Sequence, residues 1–288
     1  MSPAVKAYWQ LTKPGVLYGN VLTGVAGYLL AAQGGVDWVS FFAMLIGMTM
    51  VVAAACVINN YLDQDIDKVM ERTKKRPSVT GALPGSHMVI YGTLLGVIGI
   101  TILYLGTNWL TVWIGIIGFI TYVWLYGALS KRQSVYGTHV GSISGALPIA
   151  GGYAAVTGVI DPGLIIVFLI LFFWQFPEFF SIGIYRRKEY AAAKVPIWPV
   201  VRGVPSTIKQ IFVYTILYVA GTLALVAYGY VGYSYLVVMT LFGVHWIWLG
   251  SKGFSAKQPE KWARKMFRYA MINLLVLCAA ISVGPLLP

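Results

Sequence analysis

Nine stretches of predominantly apolar residues, near 16–33, 38–61, 87–106, 109–129, 138–157, 162–185, 208–230, 233–251 and 267–287, constrain this chain more than any other feature. Each is about twenty residues long, the length that carries a helix across the hydrocarbon core of a bilayer. Water cannot satisfy backbone N–H and C=O groups inside that core, so each stretch must close its own hydrogen bonds as a helix. The expected fold is all-α and integral to the membrane, with nine helices in one transmembrane domain spanning residues 1–288. Composition agrees, since 58% of residues are hydrophobic and only 10% charged. The first fifteen residues carry Lys6 and Lys13 without a small-residue cleavage site, and do not read as a secretory signal. Cys56 and Cys278 both fall inside spans, so no structural disulfide is expected.

Charge sets the direction of threading. All 21 Lys and Arg fall in the N-terminal segment, in the alternate connections 62–86, 130–137, 186–207 and 252–266, or at their helix ends, including Lys209 and Arg268. The opposite side shows only Asp37 and Asp161. The positive-inside rule then predicts a cytoplasmic N-terminus and an external C-terminus in a multi-pass protein, for which a bacterial plasma (inner) membrane is the expected location. The net charge of +12 reads as a topology signal with affinity for anionic lipid or substrate, and not as a nucleic-acid footprint.

Against this apolar background, the segment NNYLDQDID from Asn59 to Asp67 places three carboxylates and two amides directly after the second stretch. If the helix continues inward, Asn59, Asp63 and Asp67 recur at i, i+4 and i+8 and line one face, while Asp65 points elsewhere. Oxygen ligands without Cys or His suit a hard cation such as Mg²⁺, which keeps several waters and commonly shares phosphate oxygens with a substrate. Asn59, Asn60, Asp63 and Asp67 are the candidate ligands. A merely solvated acidic helix end is the plainer alternative, but the chain has nine Asp and Glu in all and three lie within five residues.

The next connection, KVMERTKKRPSVTGALPG, is basic and punctuated by Pro and Gly. Arg72 and Arg76, four residues apart, are the candidates for phosphate binding. YGALSKRQSVYGT puts Tyr126 at a helix end and Lys131 and Arg132 in a turn, where two cations alone mean little. In the fifth stretch, the glycines and Pro148 of GSISGALPIAGGY are expected to break regular helix packing and leave room for a ligand. Gly24 and Gly27 in the first stretch read as close-packing positions. Gln175, Glu178 and Glu189 form a second polar group near the basic side, and the second and sixth spans are expected to face each other across one cavity. His87, His139 and His245 read as ordinary interfacial residues.

The spread of motifs resembles the UbiA-type intramembrane prenyltransferases. Asn59 to Asp67 followed by ERTKKRP is similar to their first signature, and LTKPG, KRQSVYGT, GSISGALP, WQFPEF and VPIWPVVRG resemble successive blocks of the haem O synthase branch, the protohaem IX farnesyltransferases. Glu178 stands where that branch usually has His, Glu189 where it has Asp, and Ile149 where it often has a second Pro. A carboxylate at 178 can help hold Mg²⁺ but cannot act as a neutral imidazole ligand to haem iron.

The resemblance implies nine helices around a central cavity and Mg²⁺-dependent transfer of a farnesyl group from farnesyl diphosphate to a vinyl group of haem B, with terminal-oxidase assembly proteins as possible partners. Asp63 and Asp67 would hold the metal on the diphosphate, while Arg72, Arg76 and Lys131 neutralise the departing charge. Tyr61, Tyr126, Trp174 and Phe176 would shield the allylic cation, and Gln175 and Glu178 would line the acceptor pocket. Two other functions fit part of this pattern. A quinone-type aromatic prenyltransferase differs only in its acceptor, and a secondary transporter would place its carboxylates near the bilayer midplane.

Overall fold

The computed structural model describes residues 2–288. Among these residues there is no strand, and nine helices are long and apolar enough to cross a membrane: Pro14–Ala32, Trp38–Leu62, Gly85–Gly106, Trp109–Gln133, Gly137–Thr157, Pro162–Tyr185, Gly203–Ala227, Tyr233–Ser255 and Pro259–Leu286. They are numbered here as the first to ninth spans. Every apolar stretch thus becomes one span, and the chain is a multi-pass membrane protein. Leu94, Val97, Trp113, Ile117, Leu241 and Val244 point outward and are exposed, as side chains that meet acyl chains should be.

Hydrophobic burial gives little drive between helices in lipid, so close contact of small residues takes its place. The first and fifth spans touch backbone to backbone: a Cβ on Gly152 would meet the Gly24 carbonyl and lie 3.0 Å from the Tyr28 nitrogen. The second and third spans repeat the device, with Gly47 and Gly99 each placing the other's carbonyl oxygen within 2.9 Å of a built Cβ. Gly24 and Gly27 are packing positions, as the sequence suggests. The fifth span differs from expectation, because it runs unbroken from Gly137 to Thr157 with Pro148 inside it. Its glycines admit neighbours instead: Gly141 accommodates Tyr126, Gly145 the Gln175 amide and Gly152 the first span.

The two acids of the weakly charged side are helix caps. Asp37 accepts from Val39 N at 3.0 Å and Asp161 from Leu164 N at 2.8 Å, each satisfying a donor that the helix start leaves open. At the basic side, the N-terminal segment and the connections contain short helices, Pro3–Leu11, Gln64–Val69, Pro77–Thr80, Arg187–Ala192 and Trp198–Val201. Three of these begin at or next to a proline, whose fixed φ suits the first turn. The ninth helix starts at Pro259, eight residues before its apolar stretch, because Lys261, Arg264, Lys265 and Arg268 are good helix formers outside lipid.

The fourth span changes character along its length. It is α-helical to Ile120, π-helical from Thr121 to Ser130, and α-helical again over Lys131–Gln133. Wider i→i+5 turns bring residues spaced by four and five onto one face. Tyr122, Tyr126 and Lys131 have that spacing, and all three line the interior.

Candidate active site

A cavity of about 1060 Å³ opens among the first, second, fourth, fifth, sixth and ninth spans, charged at the basic end and apolar below. Single small-molecule sites usually run from roughly 300 to 1,000 Å³. The space here stands at the upper end of that range.

The second span ends at Leu62, and Asp63 sits between it and the short helix Gln64–Val69. The hydrogen-bond rungs nevertheless carry across the break: Asp63 N donates to Asn59 O at 2.9 Å and Asp67 N to Asp63 O at 2.8 Å. Asn59, Asp63 and Asp67 therefore share one face, are buried, and line the cavity. Asp65 turns away, as its helical position requires. It is held by Arg132 at 2.6 and 2.8 Å, and this guanidinium holds its pKa down to about 2.

Each cavity carboxylate meets a cation from elsewhere in the chain. Lys131 Nζ lies 2.6 Å from Asp63 Oδ2, and Arg76 lies 2.6 Å from Asp67 Oδ2. Asp63 Oδ1 is buried without a hydrogen-bond partner, and the Arg132 guanidinium lies 3.8 Å from it. Arg76 also donates to Asn60 Oδ1 at 3.2 Å, and Asn60 Nδ2 donates to Leu11 O at 2.6 Å. Asn60 points away from the cavity lining. It ties the N-terminal helix to Arg76, which corrects its reading as a metal ligand.

Lys13 is a site residue that the sequence reading passed over. It precedes Pro14 in the left-handed region at φ 51, a conformation that costs a non-glycine residue energy. Its ammonium enters the cavity and donates to Asn59 Oδ1. Burial pushes its pKa down to about 8. The available signal was a lysine locked against a proline at the mouth of an apolar helix.

The lining includes five cations, Lys13, Arg72, Arg76, Lys131 and Arg186, against three carboxylates, Asp63, Asp67 and Glu178. Such an excess in a confined, low-dielectric site attracts a polyanion. Among the described residues no three His, Cys, Asp or Glu side chains are grouped as a closed metal site. Mg²⁺ is held by one or two carboxylates plus substrate phosphates in many enzymes, a mode that needs no such group.

Tyr126, Trp174, Gln175 and Glu178 line the cavity as expected, and the second and sixth spans both contribute to its wall. Two expected residues do not. Tyr61 follows Asn59 by two positions, about 200° around the helix, and is exposed on the far side against Gly85. Phe176 is fully buried behind the wall, stacked on Tyr214 with ring centroids 3.8 Å apart. Glu189 lies outside the lining and pairs with Arg186 at 2.8 Å. Glu178 has no ion-pair partner among the described residues, so of the three states open to a carboxylate in a span, paired with Mg²⁺, paired with Arg or Lys, or protonated, the second is not the one adopted.

Paired carboxylates lie beneath clustered cations at one end of a deep cavity among membrane spans, an arrangement suited to an intramembrane enzyme. The family model described as the UbiA prenyltransferase family matches residues 20–274, and the chain belongs to that family. The chain is a prenyltransferase. The protoheme IX farnesyltransferase of Yersinia enterocolitica is 44% identical to it over 279 residues, covering 97% of this chain and 94% of that protein. A solved structure of a digeranylgeranylglyceryl phosphate synthase has a TM-score of 0.82 over 98% of both chains at 17% identity. A UbiA homolog from Archaeoglobus fulgidus, bound to DMAPP and Mg²⁺, has a TM-score of 0.67 over 96% of this chain and 99% of that one at 14% identity. At such identities the structures establish the fold.

Proposed function

We propose that this protein transfers a farnesyl group from farnesyl diphosphate to a vinyl group of haem B, giving haem O and diphosphate, with the whole chain acting as one prenyltransferase domain. The near full-length likeness to a protoheme IX farnesyltransferase carries the choice of acceptor. The basic end, where the charged site lies, is read as cytoplasmic.

Asp63 Oδ1 supports a metal at this site, because a buried carboxylate oxygen without a donor is stable only when a cation faces it. Asp63 and Asp67, with the Asn59 carbonyl, are the residues that would hold Mg²⁺, as the Archaeoglobus homolog holds Mg²⁺ with its own prenyl diphosphate. When bound, Mg²⁺ would neutralise part of the charge on the diphosphate.

The chain's own residues do the rest. Lys131, Arg76 and Arg72 hydrogen-bond the diphosphate oxygens as the C1–O bond breaks and both electrons leave with the diphosphate. Tyr126 and Trp174 turn ring faces toward the allylic cation and keep water from it. The vinyl π pair then forms the new C–C bond. Water captures the resulting cation beside the porphyrin ring and loses a proton, leaving the hydroxyl of haem O.

Purified protein supplied with farnesyl diphosphate and Mg²⁺, and offered haem B or 4-hydroxybenzoate in parallel, tests the acceptor. Prenylated product from haem B alone is expected. Product from the benzoate alone would replace the reading with a quinone-type one.

A further inference from the structure

We propose that the apolar arm of the cavity measures the prenyl chain, and that Gly115 and Leu103 close its end. The inference rests on the reading of the charged end as the diphosphate site. Below Asn59 the arm descends between Val52, Val51 and Met48 on the second span and Phe119, Gly115 and Ile114 on the fourth. None of these side chains is polar. Thr111 at the end has its hydroxyl 3.2 Å from Asn108 Oδ1, so its hydrogen bond is already made. A hydrocarbon is the ligand chemistry that fits such a wall.

The arm is blind. Val51, Leu103 and Val112 are buried together, with Ile100, Ile116 and Phe119 packed against them. Gly115 lies tight against this floor: a Cβ there would be 3.2 Å from Leu103 Cδ1 and 3.5 Å from Ile100 Cδ1. A larger side chain at 115 must project along the arm or displace Leu103.

The length matches one chain better than its neighbours. Met48 precedes Asp63 by fifteen residues, about 22 Å of helix. The twelve-carbon backbone of a farnesyl group extends roughly 14 Å from C–C bonds near 1.5 Å, and a diphosphate with its cation takes roughly 6 Å more. One further isoprene unit adds roughly 5 Å on the same bond lengths and overruns the floor. A second apolar wing of the cavity, lined by Phe179, Phe267, Met271 and Leu275, leads toward the ninth span and exposed Leu275. A chain seated in that wing would meet no such stop.

Binding of geranyl, farnesyl and geranylgeranyl diphosphates to the full chain in detergent, with Mg²⁺ and no acceptor, separates these cases. The wild type should prefer farnesyl diphosphate. Gly115→Leu should weaken farnesyl diphosphate at least about tenfold while leaving geranyl diphosphate within about twofold, since only the longer tail reaches position 115. Leu103→Ala should bring geranylgeranyl diphosphate to within about threefold of farnesyl diphosphate, and it decides the matter if the Gly115 variant does not fold. An unchanged ranking in the Leu103 variant overturns the gauge, as does a folded Gly115→Leu protein that binds all three as the wild type does. Because no acceptor is present, this outcome is independent of whether haem B is the acceptor.

Discussion

Lys131 Nζ sits 2.6 Å from Asp63 Oδ2, so a cation at the end of the fourth span neutralises a carboxylate at the end of the second, 68 residues earlier in the chain. The side chains are 16% and 1% exposed, so bulk water screens the pair weakly. The pair satisfies Oδ2 and leaves Asp63 Oδ1 without a hydrogen-bond partner.

Lys131→Met should therefore destabilise the protein by about 3 kcal/mol, the scale of leaving one partner of a buried pair uncompensated. Combining it with Asp63→Asn should recover most of that loss, because both charges are then gone. Thermal unfolding of both variants in detergent checks this, and additive losses in the double variant would show that the two side chains do not stabilise each other. Neither variant should regain turnover.

Asp63→Ala and Asp67→Ala should each lower turnover by at least about a hundredfold in folded protein, the usual effect of losing one strong electrostatic stabiliser of the leaving group. Removing divalent metal with a chelator should stop the wild type, and Mg²⁺ should restore it. Rates near normal in either variant would remove these carboxylates from the mechanism.

Much of this site was legible because its residues are expensive in a membrane. Carboxylates among 58% hydrophobic residues stand out, and helical periodicity alone put Asn59, Asp63 and Asp67 on one face and Asp65 on another. The partners were harder to read. Lys131 stood out by resemblance alone, while Lys13 and Arg132 belong to a basic side that topology explains, and only the fold shows Lys13 turning into the cavity and Arg132 toward Asp65. Aromatic residues carry still less signal: Phe176 and Trp174 differ by two positions in the same span, yet one is stacked behind the wall and the other lines the cavity. The π-helical turn from Thr121 to Ser130 left no recognisable pattern, because its sequence has neither a proline nor a charge to set it apart from an ordinary helix.

Glu178 lines the cavity without an ion-pair partner, at a position where the haem O synthases usually present His. Glu178→His should retain or raise haem farnesylation, since an imidazole is neutral at little cost in this setting while a charged carboxylate is not. Activity titrated against Mg²⁺ in both forms is the check. Loss of activity together with weaker Mg²⁺ dependence in the His variant would instead make Glu178 a metal ligand.

Asp37 and Asp161 cap helices on the side that carries no Lys or Arg. With nine spans, a reporter fused after Pro288 should be active only outside the cytoplasm. Activity inside would reverse the orientation and move the charged site to the external face.

The most direct test of the central claim is the mass of the product formed by the wild type from haem B, farnesyl diphosphate and Mg²⁺, with Asp63→Asn run beside it. The account predicts haem O, a gain of one farnesyl group and one hydroxyl group across the former vinyl bond, in the wild type and almost none in the variant. Unmodified haem in both samples, with the wild type folded and binding farnesyl diphosphate, would contradict it.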